Sequence, residues 1–281
     1  MKKRKVASEF VRKLAPALRQ AASIARTLEG RVANQPKAGE ETPVKAALTI
    51  ADSACQEALL VPLLEYFPDV SLAAEEDTPS VERFPRDRDE VVVIDPIDGT
   101  LRFYLEGLGP YGIMMGLAVH GEYEAALVAL PREGLFFRAV RGWGAFVSRA
   151  DGTPRRARFD SNADRILVTH DLPHEAVNFL KGKGFEVVPA SGAAISVAPV
   201  VPGVRAGLRM VRATPSVSIR GRIGLLVSAE AGAAMRSETG SEFPRQIEAP
   251  ARSLLIAADE ADLLLLQEAL AIAERADGLV A

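Results

Sequence analysis

The stretch 91–103, VVVIDPIDGTLRF, decides how this chain is read. Val91, Val92, Val93 and Ile94 make an apolar run that fits a buried strand. The next six residues, Asp95-Pro96-Ile97-Asp98-Gly99-Thr100, bring two carboxylates, a proline, a glycine and a hydroxyl together. A packed core has no use for that set. Asp95 ends the strand, where a rigid scaffold presents a side chain to a cleft. Pro96 fixes the turn, and Asp98, three residues on, can fold toward the same point. Gly99 permits unusual backbone angles and close approach of a ligand. Thr100 is expected to start a short helix, LRFYLEG, whose free N–H groups suit an anion. Carboxylates beside an anion cradle are compatible when cations bridge them, and hard oxygen ligands with a phosphate partner point to Mg²⁺. The bland alternative is a surface turn, because Asp-Pro and Asp-Gly are common turn dipeptides.

Outward from this stretch, the apolar spacing predicts a helix over 6–30, with Pro16 as a kink or break, and a second over 49–67. A polar, Pro- and Gly-bearing loop over 31–47 joins them. VSLAA reads as a short strand ending at Glu75-Glu76-Asp77, and a charged loop over 80–89 leads into the strand 90–95. Glu75 can complete a carboxylate cluster with Asp95 and Asp98, although a solvated acidic loop explains it equally well alone. Asp52, in LTIAD, can cap the second helix or orient a hydroxyl. Residues 111–149 read as a β-meander punctuated by HGE, PREG and RGWG, with Ile113, Met115, Leu117 and Val119 alternating as on a half-buried strand. From about 160 strands and helices alternate: RILVTH, PHEAVNFLKGKG, FEVVP, SGAAISVA, AGLRMV, VSIRGRIGLLVSAEAG, SLLIAA and DEADLLLLQEALAIAERA. The expected organisation is an N-terminal α+β domain over 1–150 that holds the site and a C-terminal α/β domain over 151–281, the linker falling near 148–160.

Composition narrows the function classes. The chain has 281 residues, 48% apolar and 25% charged, with a net charge of −3, which suits a globular protein and argues against a general nucleic-acid binder. MKKRK reads as a solvated tail. No run approaches the roughly 20 apolar residues of a membrane span, and charges at Glu9, Arg12, Lys13 and Arg19 break any signal-peptide pattern. Cys55 is the one cysteine, set in an apolar pattern that suggests packing; its solitude fits a reducing compartment, and a cytoplasmic location is expected.

LTIAD, AAEED and IDPIDGT, with this spacing, resemble the inositol monophosphatase family of Mg²⁺-dependent, Li⁺-sensitive phosphatases, which includes 3′(2′),5′-bisphosphate nucleotidases and fructose bisphosphatases among its relatives. The resemblance is strong over roughly 48–147. It extends through SGAA at 191–194, LLVSAEAGA at 225–233 and the last strand and helix. It implies a layered sandwich of α/β and α+β parts, αβαβα in order. It further implies that Glu75, Asp95 and the Ile97 carbonyl hold a first Mg²⁺ and that Asp95 and Asp98 share a second. Thr100, paired with Asp52, would orient the attacking water, and the N–H groups of Gly99 and Thr100 would hold the phosphate. Ala193 would line the substrate side. The implied partner is a small phosphorylated substrate. The family is often dimeric, and the apolar hairpins are a candidate homodimer surface.

The resemblance fails at one place. The family's second motif, W-D-x-A-A-G, supplies an Asp to the second metal. Counting back from Glu230-Ala231-Gly232 puts Ile219-Arg220 there, and no Asp occurs from 172 to 258. Arg220 then pairs with Asp98 and touches phosphate in place of a metal, or points to solvent, or marks a non-catalytic relative that binds a phosphorylated ligand or a protein. Glu238 and Glu242 are candidates to replace the lost carboxylate. Leu101 stands where the family often has a hydroxyl, and its lysine before the first Asp is either Lys37 or Lys45. The family's acidic contact to inositol hydroxyls has no match in RATPSVSIR. A bisphosphate nucleotidase is a further reading, with Arg102, Arg205 or Arg209 taking a second phosphate.

Overall fold

The computed structural model describes residues 2–40, 42–149, 152–212 and 214–278. Two helices, α1 (Lys2–Leu28) and α3 (Ile50–Tyr66), pack on one face of a mostly antiparallel sheet. A short turn of helix, α2 (Pro43–Ala46), lies in the connection that the sequence reads as loop. The MKKRK segment is drawn into α1 from Lys2 onward rather than trailing as a tail. Pro16 stays on the exposed side of α1, and the helix runs through it.

Among the described residues the first sheet has seven strands in sequence order: β1 (Ser71–Ala73), β2 (Glu90–Asp98), β3 (Gly112–Val119), β4 (Glu122–Leu130), β5 (Leu135–Val140), β6 (Gly144–Arg149) and β7 (Arg155–Arg156). Alternation places Ile113, Met115, Leu117 and Val119 against α1 and α3, as expected. Their neighbours Met114 and Ala118 are also buried, in a second core on the opposite face. The strand is therefore wholly buried, because helices cover both faces.

That second core is closed by α5 (Gly192–Ser196) and α6 (Leu225–Ala231), which lie between the two sheets. The second sheet has the order β11-β12-β10-β8-β9: β8 (Arg165–Val168), β9 (Glu186–Pro189), β10 (Val204–Met210), β11 (Ala234–Arg236) and β12 (Ser253–Ala257). Its outer face is covered by α4 (His174–Gly182) and α7 (Glu260–Ala276). The layers run αβαβα.

One expected helix is mostly absent. VSIRGRIG forms only a 3₁₀ turn, Arg220–Arg222, and α-helix begins at Leu225. Arg222 is almost fully buried and donates to the carbonyls of Val217, Gln246 and Ala249 and to the Ser216 hydroxyl, with Phe243 against its face. A buried guanidinium needs that many acceptors, so the chain wraps it in loop rather than helix.

Candidate active site

The site is built where β2 ends. Ile94 and Asp95 still pair with β3, but the register shifts between Asp95 and Asp98, and that irregularity turns the carboxylates out of the ladder. Gly99 follows with φ 90°, and a Cβ there would lie 2.5 Å from the Phe103 ring, so only glycine makes this turn. The expected helix after Thr100 is a π-helical turn, Thr100–Leu105.

Asp52 is buried at the start of α3 and does two jobs. Its Oδ2 accepts the Thr49 N–H and the Thr49 hydroxyl, both at 2.7 Å, completing a capping box in which Thr49 is the cap. Its Oδ1 lies 2.9 Å from the Thr100 hydroxyl, which is also 2.9 Å from the Ile97 carbonyl oxygen. Burial raises the Asp52 pKa, against the hydrogen bonds from Thr49 and Thr100.

Asp95 is buried, and its Oδ1 has no hydrogen-bond partner among the described residues. Burial first, then Glu75 and Asp98, push its pKa well up; Arg220 opposes them. Asp98 Oδ2 accepts the Ala193 N–H at 2.5 Å, which ties the end of β2 to α5. Ala193 is thus fully buried, with its backbone committed to Asp98.

Arg220 pairs with Glu75 and Asp95 and not with Asp98, the partner in one of the three readings of the sequence. Its Nη2 lies 3.5 Å from Glu75 Oε1 and its Nε 3.8 Å from Asp95 Oδ2. Burial disfavours the guanidinium, but Glu75, Asp95 and Asp98 outweigh it and raise its pKa. Neither Glu238 nor Glu242 replaces the lost carboxylate. Glu238 accepts the N–H groups of Arg252 and Ser253, and Glu242 pairs with Arg245 and lines a separate cavity of about 680 Å³ under Phe243.

One support was not foreseen, and a second is one of the two candidate lysines. Gln56, fully buried on α3, donates to the Glu76 carbonyl at 2.6 Å and to the Thr78 hydroxyl at 2.8 Å and accepts the Glu76 N–H at 3.0 Å. It pins the loop that carries Glu75. Lys37 Nζ lies 2.8 Å from Glu76 Oε1, next to the site; the Lys45 side chain lies outside the described residues. Glu76 has its pKa raised by burial, against Lys37.

Glu75, Asp95, Ile97, Asp98, Gly99 and Thr100 all line one cleft of about 390 Å³, whose other wall is Ser191, Gly192 and Arg209. Among the described residues, no three His, Cys, Asp or Glu side chains are gathered as a ready metal cluster. The donor set nevertheless fits one cation. It is all oxygen, and Asp95 holds a buried acceptor without a donor. A guanidinium already stands against Glu75 and Asp95, so the carboxylates have less negative charge left to hold a further ion.

An αβαβα sandwich with a carboxylate cleft at the end of a buried strand defines the class. The sequence model of the inositol monophosphatase family matches residues 2–191, and the chain belongs to that family. A histidinol-phosphatase of Chlorobaculum parvum is 34% identical over 132 residues, 46% of each chain. A fructose-1,6-bisphosphatase/inositol-1-monophosphatase of Thermotoga maritima is 32% identical over 117 residues, 42% of each. A Nus factor SuhB of Pasteurella multocida is 34% identical over 101 residues, 36% of each. The chain thus matches less than half the length of these relatives. Among solved structures, an IMPase of Thermotoga maritima superposes with a TM-score of 0.69 at 20% identity, covering 91% of this chain and 96% of its own. An IMPase/NADP phosphatase complexed with Mg²⁺ and phosphate gives 0.68 at 17% identity, covering 92% and 95%. These likenesses show the fold.

Proposed function

We propose that this chain is a cation-dependent phosphatase of small phosphate monoesters. The observation that carries the reading is the Thr100 hydroxyl, held between Asp52 Oδ1 and the Ile97 carbonyl beside Glu75, Asp95 and Asp98. One hydroxyl proton serves one of those two acceptors. The hydroxyl oxygen keeps lone-pair capacity to accept a hydrogen bond from a water in the cleft and aim it. Asp52, anchored by Thr49, fixes the rotor.

Glu75, Asp95 and the Ile97 carbonyl, with Asp98 beside them, would hold Mg²⁺. When bound, the ion lowers the pKa of a water and offsets charge on the phosphoryl group. The backbone N–H groups of Gly99 and Thr100 receive phosphate oxygens, and Arg220 supplies positive charge beside Glu75 and Asp95. Family membership supports the phosphatase class, and the Mg²⁺ in one structural neighbour supports the choice of ion.

The test is phosphate release by purified protein, with Mg²⁺ titrated from zero, on inositol 1-phosphate, fructose 1,6-bisphosphate, adenosine 3′,5′-bisphosphate, histidinol phosphate and an aryl phosphate. Turnover that requires the ion and disappears in Asp95→Asn is the expected result. Undiminished turnover in that variant rules the mechanism out. The second reading, a ligand-binding relative without turnover, is favoured by Arg220 lying against Glu75 and Asp95. Well-folded protein that binds phosphate esters and hydrolyses none of them would establish it.

A further inference from the structure

We infer that Arg209 reads a second anionic group on the substrate, a carboxylate or a second phosphoryl group, on the wall of the cleft opposite Asp95. The inference rests on the cleft being a phosphate-ester site, as proposed above. Arg209 lies on β10 between Leu208 and Met210, both buried in the outer core, so strand alternation turns its side chain the other way, toward α5 and the cleft. The guanidinium occupies a slot between two glycines. A Cβ on Gly192 would come 2.2 Å from Nη1, and one on Gly221 would come 2.1 Å from it. Nη1 is buried and has no hydrogen-bond partner among the described residues.

The other cationic side chains on the cleft already hold acids: Arg102 holds Glu106, although its Nε is also buried without a partner among the described residues, and Arg212 holds Asp171 and Asp277. Arg205, the third candidate from the sequence, turns to Asp259 and Asp262. Asp98, on the same cleft, gives an oxygen to the Ala193 N–H. A buried donor without an acceptor costs free energy, and a fork of guanidinium donors is matched best by a two-oxygen anion. Arg209 is therefore set to be completed by substrate. The sequence here offers a polyol no acidic contact, so a ligand with a second negative group suits the cleft better than a neutral sugar alcohol.

The experiment compares matched esters on the full chain in Mg²⁺ by calorimetric titration. Glycerol 2-phosphate is set against 2-phosphoglycerate, which adds a carboxylate; fructose 1-phosphate is set against fructose 1,6-bisphosphate, which adds a phosphate. One pair is expected to show a preference of about tenfold or more for the doubly anionic ligand, the scale of a charge-assisted hydrogen bond. Whichever pair shows it identifies the group. Arg209→Gln is expected to collapse that ratio, and Arg209→Lys to restore it in part. Gly221→Ala, which keeps the arginine but puts a methyl group where its Nη1 lies, is expected to collapse it too; circular dichroism confirms that each variant is folded. Equal affinity within both pairs for the unmodified protein overturns the inference, as does a ratio that survives Arg209→Gln. The second result would arise if Arg209 met the scissile phosphate, since both members of a pair would then weaken together. If no ester binds at all, the phosphate-ester reading falls as well; if esters bind without preference, only the role of Arg209 falls.

Discussion

Removing the Arg220 guanidinium tests the one-cation reading of the site. At 3.5 Å from Glu75 and 3.8 Å from Asp95, each attraction is about 4–5 kcal/mol at an effective dielectric of about 20. Desolvation of a largely buried guanidinium takes back much of this, and its partial exposure screens the rest. A net loss of about 2–3 kcal/mol is expected for Arg220→Ala in EDTA, because Asp95 would be left buried without any cation. For a chain of this size that lowers the melting temperature by about 5–10 °C. Saturating Mg²⁺ should close most of the gap, since the ion takes over the carboxylates and stabilises the folded state by mass action. Arg220→Asp should be less stable than Arg220→Ala in EDTA, because a fourth carboxylate joins the cluster. It should also gain a second ion, read as a change in calorimetric Mg²⁺ stoichiometry from one to two. Differential scanning calorimetry with and without Mg²⁺ gives the first result and titration the second. An Arg220→Ala protein as stable as the parent in EDTA, or a parent that already binds two ions, would refute the reasoning.

Four further outcomes are expected. Arg222→Ala should cost about 3–5 kcal/mol in urea denaturation, because the loop carbonyls around it lose their donors together. Gln56→Ala should weaken Mg²⁺ affinity by titration and cost about 1–3 kcal/mol, since Glu76 and Thr78 lose their buried anchor. Glu29 has its pKa lowered; burial works to raise it, and Arg132 and Arg26 outweigh burial. A depressed carboxylate gives stability above its unfolded pKa that is lost as pH falls through the folded value, so Glu29→Gln should flatten the acid side of the stability–pH profile. Cys55 is buried and its thiol is pushed up to about 12 by burial and by Asp52. It should be inert to a thiol reagent at pH about 8 until the protein is unfolded; rapid labelling of native protein would contradict that packing.

How much of this was legible in the sequence depended on whether a signal was local. The β2–β6 region was readable because alternation and Gly- or Pro-marked turns are short-range, and the two carboxylates of DPIDGT announce themselves within six residues. The pairing of Thr100 with Asp52, 48 residues apart, came from the family resemblance and not from spacing. Gln56 was invisible, since a glutamine on a helix gives no sign that its amide will bracket a loop 20 residues away. The segment around Arg222 was misread for the opposite reason. Its local pattern fits a helix, but a buried guanidinium overrides local preference by demanding carbonyls from 217 and 244–249. β11 is a three-residue strand recruited by pairing with β12, and such a strand has too few residues to carry a period.

The charges of the cleft argue that its two unusual arginines belong together. Asp95 and Asp98 come from β2 of the first sheet and Glu75 from the loop after β1; Arg209 comes from the second sheet, and Arg220 from the 3₁₀ turn that follows β10. Three carboxylates with two guanidinium groups leave the site at about minus one, which repels a phosphate dianion. One divalent cation turns that to about plus one, which attracts it. A second divalent ion would leave about plus three; a divalent ion about 4 Å from a guanidinium is repelled by about 8 kcal/mol at the same effective dielectric. The balance therefore favours one ion and a substrate with more negative charge than a simple monoester carries. That is the condition under which an unpartnered Arg209 is an asset rather than a cost.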